Sequence, residues 1–358
     1  MKRSVLLNWL PFENTSTGAA KRSVEIHERL ADEFNLTAAV TEGFPSDTAP
    51  GVEKNIFAAK RSLAVRLSER FPGFWERQGR PDVWVTDTLP VPAFKSDTRT
   101  VLTVHDLRFL VSRKYLSLQR YLLLKLTMKS GLKRADVVVT VSDWIAEQII
   151  EYYGISPKKL YVIPNAAASL PSARSLEFSG REYILTVGHL EPRKDQRTLI
   201  RAFAMVAGKW DGDLVVVGRG ALLGDLELLA DELGLGSRVK FAEGVGDSEL
   251  SDLYARSTCL VCPSVYEGFG MTLLEGMAAE LPVIASSIPS HREVAGDVAL
   301  WFEPGNCKDL AEVILSFLEN RQNFIPDAGV RRARKYNWNN SAKKLASIYR
   351  ELLFRERQ

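Results

Sequence analysis

Cysteine is scarce in this sequence, which contains three: Cys259, Cys262 and Cys307. An odd and small number provides no disulfide framework and is typical of a protein kept in a reducing compartment. The first two form a C-x-x-C within CLVCPS (259–264), an apolar run that predicts a buried strand. Residues three apart in a strand point to opposite faces, so we expect buried structural thiols there and not a metal ion or a redox pair.

Long apolar runs and a strong charge imbalance are also absent. No window reaches the ~18 consecutive apolar residues that a membrane span needs. The start, MKRSVLLNWLPFENTSTG, loses its apolar run at Asn8 and Pro11 and lacks a small-residue cleavage site, so we expect no secretory signal. A net charge of +3 is too small to argue for nucleic acid. We therefore expect a protein of the cytoplasm or of the inner face of the cytoplasmic membrane, with no nucleic-acid partner.

Acidic clusters suited to a metal ion are missing where a ligand would bind. Asp211 and Asp213 in WDGDL have D-x-D spacing, but they precede a predicted strand and are interpreted as a turn at its amino end.

GRGALLG (218–224) follows a strand, yet its G-x-G-x-x-x-G spacing is one residue longer than the dinucleotide fingerprint. We interpret it as a donor-side turn, and we predict no metal ion and no cofactor.

The sequence does contain an alternation of short apolar runs with amphipathic helical stretches. Its 358 residues exceed what one hydrophobic core normally supports, so two domains are expected. Continuous apolar strands separated by helices predict an α/β fold with parallel, doubly wound sheets. The predicted strands are 4–10, 82–87, 100–106, 136–142 and 160–165 in the first series, and 183–188, 213–218, 239–244, 259–264 and 282–286 in the second.

A break separates the two series. NAAASLPSARSLEFSGRE (165–182) is small, polar and aperiodic and predicts a linker. We assign 1–168 to a first Rossmann-like domain and 169–339 to a second one. An amphipathic helix over 339–358 could pack on either domain, and we favour a return of 340–358 to the first. Ligands of such sheets bind at the carboxyl ends of the strands, so the expected site is a cleft between the domains.

The stretch PSVYEGFGMTLLEG (263–276) combines a strand end, a glycine turn and a helix start. Gly268 and Gly270 allow close backbone approach, and the first N–H groups of the helix predicted from Thr272 favour a phosphate. Glu267 in the loop and Glu275 about one turn inside the helix flank that position with carboxylates able to accept hydrogen bonds from a sugar diol. The alternative is an ordinary turn whose glutamates stabilise the helix dipole.

This stretch resembles the E-x7-E motif of the retaining GT-B glycosyltransferases of family 4, which include mannosyl- and glucosyltransferases. Five further segments resemble that family in its own order: TVHDL (103–107), VIPNA (162–166), GHLEPRKDQRTLIRAF (188–203), PVIASSIPSHREVAGDVALWFEPGN (282–306) and KYNWNNSAKKLASIYRELL (335–353). The resemblance implies the GT-B fold, two Rossmann-like domains facing each other across a cleft. It also implies metal-independent transfer of a sugar from a nucleotide donor.

The resemblance implies roles for individual residues. Glu267 would contact the donor sugar, and Glu275 would bind the nucleotide ribose. Arg193 and Lys194 would neutralise the diphosphate, which fixed cations stabilise as it leaves, and His105 would lie against the transferred sugar from the first domain. The remaining donor-binding positions are expected to be Gly18, Gly188, His189, Val245, Gly268, Phe269, Gly270, Met271 and Thr272.

Two positions depart from the family pattern. His189 stands where many members have arginine after the glycine, and Arg193 would substitute for that arginine. The loop after the first strand, PFENTSTGAAKR (11–22), keeps one glycine, Gly18. This change affects the expected handling of the acceptor more than the binding of the donor.

A basic segment occupies 107–135, with eight basic residues and no acidic one. They are Arg108, Arg113, Lys114, Arg120, Lys125, Lys129, Lys133 and Arg134, and Leu116, Tyr121, Leu122, Leu124 and Leu126 alternate with them. A basic, apolar helix suits an anionic membrane surface. A core helix with a solvated basic face has the same composition, so both interpretations stay open.

The sequence thus predicts a retaining hexosyltransferase, with mannose favoured, that uses a GDP- or UDP-linked donor and a glycan or lipid-linked acceptor. One alternative is a nucleotide-sugar epimerase or a phosphorylase of the same architecture. Another is a non-catalytic subunit that binds a sugar nucleotide or a glycan.

Overall fold

The computed structural model describes residues 2–12, 17–77, 79–87, 89, 91–94, 97–167 and 180–354. The chain forms two compact units, one of Met1–Asn165 with Asn337–Gln358 and one of Ala166–Tyr336. The division falls at the start of the stretch interpreted as a linker, of which 168–179 lie outside the described residues.

The first unit is built on a seven-stranded parallel sheet with the strand order β3-β2-β1-β4-β5-β6-β7. Its strands are β1 (Ser4–Asn8), β2 (Asn35–Thr41), β3 (Glu53–Ala58), β4 (Val83–Thr86), β5 (Arg99–Val104), β6 (Val137–Thr140) and β7 (Leu160–Val162). Its first helices are α1 (Gly18–Glu28), α2 (Leu63–Ser68), α3 (Pro72–Trp75), α4 (Arg108–Val111), α5 (Leu118–Arg134) and α6 (Asp143–Tyr153).

The second unit repeats the architecture with a six-stranded parallel sheet of order β10-β9-β8-β11-β12-β13. Its strands are β8 (Tyr183–Val187), β9 (Asp213–Val217), β10 (Val239–Ala242), β11 (Cys259–Cys262), β12 (Val283–Ser286) and β13 (Leu300–Phe302). Its helices are α7 (Gln196–Val206), α8 (Leu223–Glu232), α9 (Asp247–Arg256), α10 (Met271–Ala278), α11 (Pro289–Ala295), α12 (Cys307–Asn320) and α13 (Asp327–Ala333).

The last helix, α14 (Trp338–Phe354), belongs to the first unit. The Tyr349 hydroxyl lies 2.9 Å from Nε2 of His27 on α1, and the Ser341 hydroxyl donates to the Pro164 carbonyl oxygen at 2.8 Å. Tyr349 and His27 are both buried, so this contact joins the first and last helices inside the core of the unit.

Two expectations from the sequence need correction. Strands β2, β3 and β13 were not predicted: β2 and β3 contain polar residues and are partly exposed, and β13 is only three residues long. The basic segment is not one helix: α4 is followed by a 3-10 turn over Arg113–Tyr115, and then by α5, whose first turn is capped by the Ser117 hydroxyl.

Cys259, Cys262 and Asp213 all lie on strands of the second sheet. Cys259 and Cys262 are free and buried in β11, and burial raises the pKa of the Cys262 thiol to about 12. Asp213 begins β9, at the amino edge of its sheet, where Lys240 Nζ lies 2.6 Å from its carboxylate. Within the described parts of the chain, no group of three or more His, Cys, Asp or Glu side chains could hold a metal ion.

None of the helices in the described ranges is both long and apolar enough to cross a membrane.

Candidate functional site

The stretch 263–276 forms a strand–loop–helix unit at the carboxyl edge of the second sheet. Strand β11 ends at Cys262, and α10 begins at Met271, one residue before the predicted start. Gly270 precedes the helix with φ +109°, a conformation that favours glycine. A Cβ atom at Gly270 would also lie 3.1 Å from Cδ2 of His291, so the helix start and the loop require glycine there.

Glu267 lies at the centre of a buried ionic cluster. Its Oε2 is 2.6 Å from Nη1 of Arg193, its Oε1 pairs with Nζ of Lys194, and the Ser264 hydroxyl donates to Oε1 at 3.1 Å. The Glu267 side chain is 12% exposed, and those of Arg193 and Lys194 are 10% and 15% exposed. The structure therefore brings together three of the four residues expected to be catalytic.

The charge of Glu267 is fixed by its cationic partners. Burial by itself would raise the pKa of this carboxyl, but the nearby Arg193 and Lys194 charges outweigh that effect and hold the pKa well below its ordinary value. The group is thus a carboxylate at neutral pH. An anionic Glu267 can accept hydrogen bonds from hydroxyl groups but cannot act as an acid.

The loop that carries the two cations is fastened to the glutamate loop. Arg193 and Lys194 lie in a 3-10 turn, Pro192–Lys194, that follows β8. The Val265 N–H donates to the Arg193 carbonyl oxygen at 2.8 Å, and Nη2 of Arg193 lies 2.5 Å from Oε1 of Glu191. These contacts orient the guanidinium within a rigid arrangement, as a site for a charged ligand needs.

Gly188 and His189 precede the cationic turn. A Cβ atom on Gly188 would lie 3.3 Å from Cε of Lys194, so the glycine lets the lysine side chain cross its backbone. His189 is exposed, and its carbonyl oxygen accepts a hydrogen bond from the Gln196 side chain at 3.1 Å.

The remaining positions on the E-x7-E stretch face different surroundings. Glu275 lies one turn into α10, half-buried, and accepts a hydrogen bond from the Tyr254 hydroxyl at 3.1 Å. The Phe269 ring is buried and packs edge-on against Tyr336, with centroids 5.5 Å apart. Any contact of Phe269 with a ligand would therefore use its backbone.

A pocket opens at this edge of the sheet, and its lining includes Lys194, Glu267, Gly270, Thr272 and His291. Gly268, Met271 and Glu275 lie beside it on the same loop and helix, and half-buried Val245 lies between β10 and α9. Gly218 and Gly220 serve packing, because a Cβ at Gly218 would collide with the Gly188 carbonyl oxygen and one at Gly220 with the Leu190 carbonyl oxygen.

His291 was missed by sequence reasoning. It lies on α11, five residues after β12 ends, at the same edge as Glu267. Burial lowers the pKa of its imidazole to about 4 and outweighs the opposing influence of Glu267. A histidine shortly after the carboxyl end of a predicted parallel strand was the signal that could have identified it.

In the first unit, His105 directly follows β5, and Asp87 directly follows the neighbouring strand β4. Nε2 of His105 lies 3.6 Å from Oδ1 of Asp87. Burial would raise the pKa of Asp87, but the His105 contact, a hydrogen bond from Thr103 and the Arg22 charge together lower it. Asp87 was also missed, although DVWVTD (82–87) places it at the strand end.

Gly18 is the first residue of α1, whose N-terminus is capped by the Thr17 hydroxyl through a hydrogen bond from the Ala20 N–H at 3.2 Å. The loop residues 13–16 before it lie outside the described residues.

Comparisons with known proteins assign each half of the chain to a family. The family described as Glycosyltransferase Family 4 matches residues 18–167, and the family described as Glycosyl transferases group 1 matches residues 171–336. O-antigen chain mannosyltransferase B of Escherichia coli is 26% identical over 269 residues, which are 71% of this chain and 71% of that protein. O-antigen chain mannosyltransferase RfbU of Salmonella typhimurium is 29% identical over 267 residues, 74% and 70% of the respective chains.

Among solved structures, Anabaena Alr3699/HepE in complex with UDP-glucose has a TM-score of 0.78 and 17% identity, and the match covers 98% of this chain and 100% of that one. The fold, two Rossmann-like parallel-sheet units, is therefore that of GT-B enzymes, as predicted. With both halves matched by the families above, the chain belongs to the GT-B glycosyltransferases of family 4.

Proposed function

We propose that the protein transfers a hexosyl group from a nucleoside diphosphate sugar to a hydroxyl acceptor with retention of configuration. The observation that carries this proposal is the cluster of Glu267 with Arg193 and Lys194, next to the start of α10. Unpaired N–H groups at a helix N-terminus and fixed cations form a site for phosphate, and a carboxylate beside them suits sugar hydroxyls.

The proposed chemistry distributes the roles as follows. The bond between the anomeric carbon and the β-phosphate oxygen breaks, and the leaving diphosphate gains negative charge. Lys194, which has three N–H donors, and the first N–H groups of α10 stabilise that charge without a metal ion. The acceptor oxygen bonds to the anomeric carbon on the same face and passes its proton to the departing diphosphate oxygen. Glu267 holds the sugar, and Glu275 holds the ribose.

Mannose is the proposed sugar because two relatives are named as mannosyltransferases and the family-4 segments include GHLEPRK (188–194). The nucleotide would be GDP or UDP, and a UDP-glucose complex of the similar Alr3699/HepE structure supports a nucleotide-sugar donor in this fold. The O-antigen names of the relatives support a glycan or lipid-linked acceptor.

We also propose that α5 contacts an anionic membrane surface on which a lipid-linked acceptor would lie. Leu118, Leu122 and Leu126 recur every fourth residue on α5 and are 51%, 45% and 78% exposed, whereas Met128 and Leu132 are buried. The second half of α5 is thus a core helix, and its first half presents leucines among basic side chains. An exposed apolar stripe flanked by cations fits acyl chains below anionic headgroups.

Donor turnover tests the proposal. The parent protein is offered GDP-, UDP-, ADP- and dTDP-sugars with a membrane glycolipid extract, and nucleoside diphosphate release and the anomer of the product are measured by NMR. We expect one donor to be used with retention, and Glu267→Gln and Lys194→Ala to lose at least about a hundredfold in rate.

Lys240→Ala serves as the matched control, because Lys240 is paired with Asp213 at the opposite edge of the same sheet. Equal rates for Lys194→Ala and Lys240→Ala would contradict the site. Inversion at the anomeric carbon would contradict the retaining reaction, and epimerisation of the free donor without an acceptor would favour an epimerase. Donor binding without transfer would favour a non-catalytic subunit.

A further inference from the structure

The hydrogen bonds of His291 fix which of its ring nitrogens carries the proton. Nδ1 lies 3.1 Å from the Ser286 carbonyl oxygen, which can only accept, so Nδ1 is the protonated nitrogen of the neutral ring. The Ser286 hydroxyl donates its hydrogen to the Ser264 carbonyl oxygen and therefore also acts as an acceptor towards Nδ1, at 3.2 Å. Both partners give the same tautomer, which leaves a lone pair on Nε2.

The Nε2 edge of the ring lies against the candidate donor pocket. A Cβ atom on Gly270 would be 3.1 Å from Cδ2 and 3.6 Å from Nε2 of His291, and the ring lines the same pocket as Lys194, Glu267 and Thr272. In the part of the chain that the structure describes, Nε2 has no hydrogen-bond partner. The residue is 1% exposed, and the Nε2 side of its ring lies next to Gly270, which lines the same pocket.

His27 in the first unit shows what a buried histidine with a purely structural role looks like in the same chain. Its Nδ1 lies 2.7 Å from the Ser23 carbonyl oxygen and its Nε2 lies 2.9 Å from the Tyr349 hydroxyl, so both nitrogens are used inside the core. Among the residues that the structure describes, His291 uses only Nδ1, and its Nε2 lies on the side of the pocket where a ligand would bind.

A lone pair at this position selects a hydrogen-bond donor. Diphosphate oxygens are acceptors and cannot form a hydrogen bond with the Nε2 lone pair. A sugar hydroxyl can donate to Nε2 and accept from Lys194, and a neighbouring hydroxyl of the same sugar can donate to Glu267. We infer that His291 accepts a hydrogen bond from one hydroxyl group of the transferred sugar and thereby determines donor specificity. The inference rests on the proposed function, because it assigns a contact within the proposed donor site.

Two substitutions at His291 distinguish the loss of the Nε2 hydrogen-bond acceptor from the loss of packing. In His291→Asn the amide N–H can still donate to the Ser286 carbonyl oxygen, but no acceptor reaches the position of Nε2. In His291→Gln the longer amide can place its oxygen near that position. His27→Asn is the control for the loss of a buried imidazole.

The experiment measures kcat/KM for the accepted donor and for the set of its monodeoxy sugar analogues, and the Kd of the free nucleoside diphosphate. We expect His291→Asn to lose about tenfold in kcat/KM with the complete donor, the size of one hydrogen bond between neutral groups. With the analogue that lacks the contacted hydroxyl, the variant and the parent should agree within about twofold. His291→Gln should recover part of the loss, and the Kd of the nucleoside diphosphate should not change.

Several results would overturn the inference. The same loss with every deoxy analogue, or no loss at all, would show a structural histidine, as would a pattern equal to that of His27→Asn. A weakened Kd for the nucleoside diphosphate would place the contact on phosphate. If His291→Asn does not fold, the comparison of deoxy analogues is made with His291→Gln. An equal loss of kcat/KM with every analogue would then contradict the inference. No turnover of any sugar nucleotide by the parent would remove the proposed function, and this inference with it.

Discussion

At the scale of single residues, the candidate site is defined by charge pairs that the sequence does not reveal. Arg193 and Glu267 are 74 positions apart, and only the fold brings Nη1 and Oε2 to 2.6 Å. The alternating pattern predicted a site at the carboxyl edge of the strands, and the resemblance to family 4 implied which residues would form it. The direct pairing of the cations with Glu267 was not, and neither were His291 and Asp87, whose environments depend on neighbouring strands.

Gly270→Ala should destabilise the second unit. The left-handed φ of +109° and the close Cδ2 atom of His291 both oppose a methyl group, and we expect a loss of about 1–3 kcal/mol in the free energy of unfolding. Urea denaturation measures it. Gly224→Ala is the control, because Gly224 lies in α8 with open space around its Cα and alanine there should be neutral or stabilising by up to ~1 kcal/mol. Equal effects of the two substitutions would contradict the strain argument.

At the scale of secondary-structure elements, the central strands were predicted and the weaker ones were not. Strand β3 lies at the edge of its sheet with mostly exposed or half-buried residues, and β13 is three residues long. Strand β3 therefore lacks the apolar run that identifies a strand buried on both faces, and β13 is too short to be identified by such a run. Helix α6 was predicted to within one residue at each end because Ser142 caps it and Gly154 ends it with φ 63°.

The contact between α1 and α14 gives a stability prediction. Tyr349→Phe leaves Nε2 of His27 buried without its hydroxyl partner, which should cost about 1–3 kcal/mol of unfolding free energy. Tyr152→Phe, at a tyrosine that is 56% exposed on α6, should change the midpoint of urea denaturation little. Equal midpoints for Tyr349→Phe and the parent would mean that the hydroxyl does not hold α14 in place.

The exposed stripe on α5 gives a membrane prediction. Leu122→Asn with Leu126→Asn should weaken binding to vesicles rich in phosphatidylglycerol by at least about tenfold, because two apolar side chains no longer enter the acyl region. Leu228→Asn is the control: Leu228 is 62% exposed on α8, among Asp225, Glu227, Asp231 and Glu232. Co-sedimentation with anionic and with phosphatidylcholine vesicles measures the binding. Unchanged binding of the double variant, or equal binding to both lipids, would contradict the proposal.

At the scale of the whole molecule, each unit contains a buried histidine whose pKa burial lowers to about 4, His27 in the first and His291 in the second. An unfolded histidine has a pKa of about 6.5, so between about pH 6.5 and 4 the unfolded chain binds protons that the folded chain does not. The free energy of unfolding should therefore fall as the pH is lowered through this range, by up to ~1.4 kcal/mol per pH unit for each histidine.

Glu267 acts in the same direction at lower pH. Its pKa in the folded state lies below the ordinary value, so its stabilising contribution is present above the unfolded pKa of about 4.3 and is lost as the pH falls below it. Urea denaturation at pH values between 7 and 4.5 measures the effect of the histidines. In His27→Asn, the free energy of unfolding should change less steeply with pH than in the parent. An unchanged slope in that variant would show that His27 does not carry the effect.

We propose that Lys194, in the cluster with Glu267 and Arg193, binds the donor diphosphate. Titration calorimetry of the nucleoside diphosphate with the parent, Lys194→Met and Lys240→Met tests it most directly. A charge-assisted contact to phosphate contributes ~1.5–3 kcal/mol, so Lys194→Met should weaken the Kd by about 10- to 100-fold, while Lys240→Met should bind like the parent. Equal Kd values for all three proteins would contradict the account.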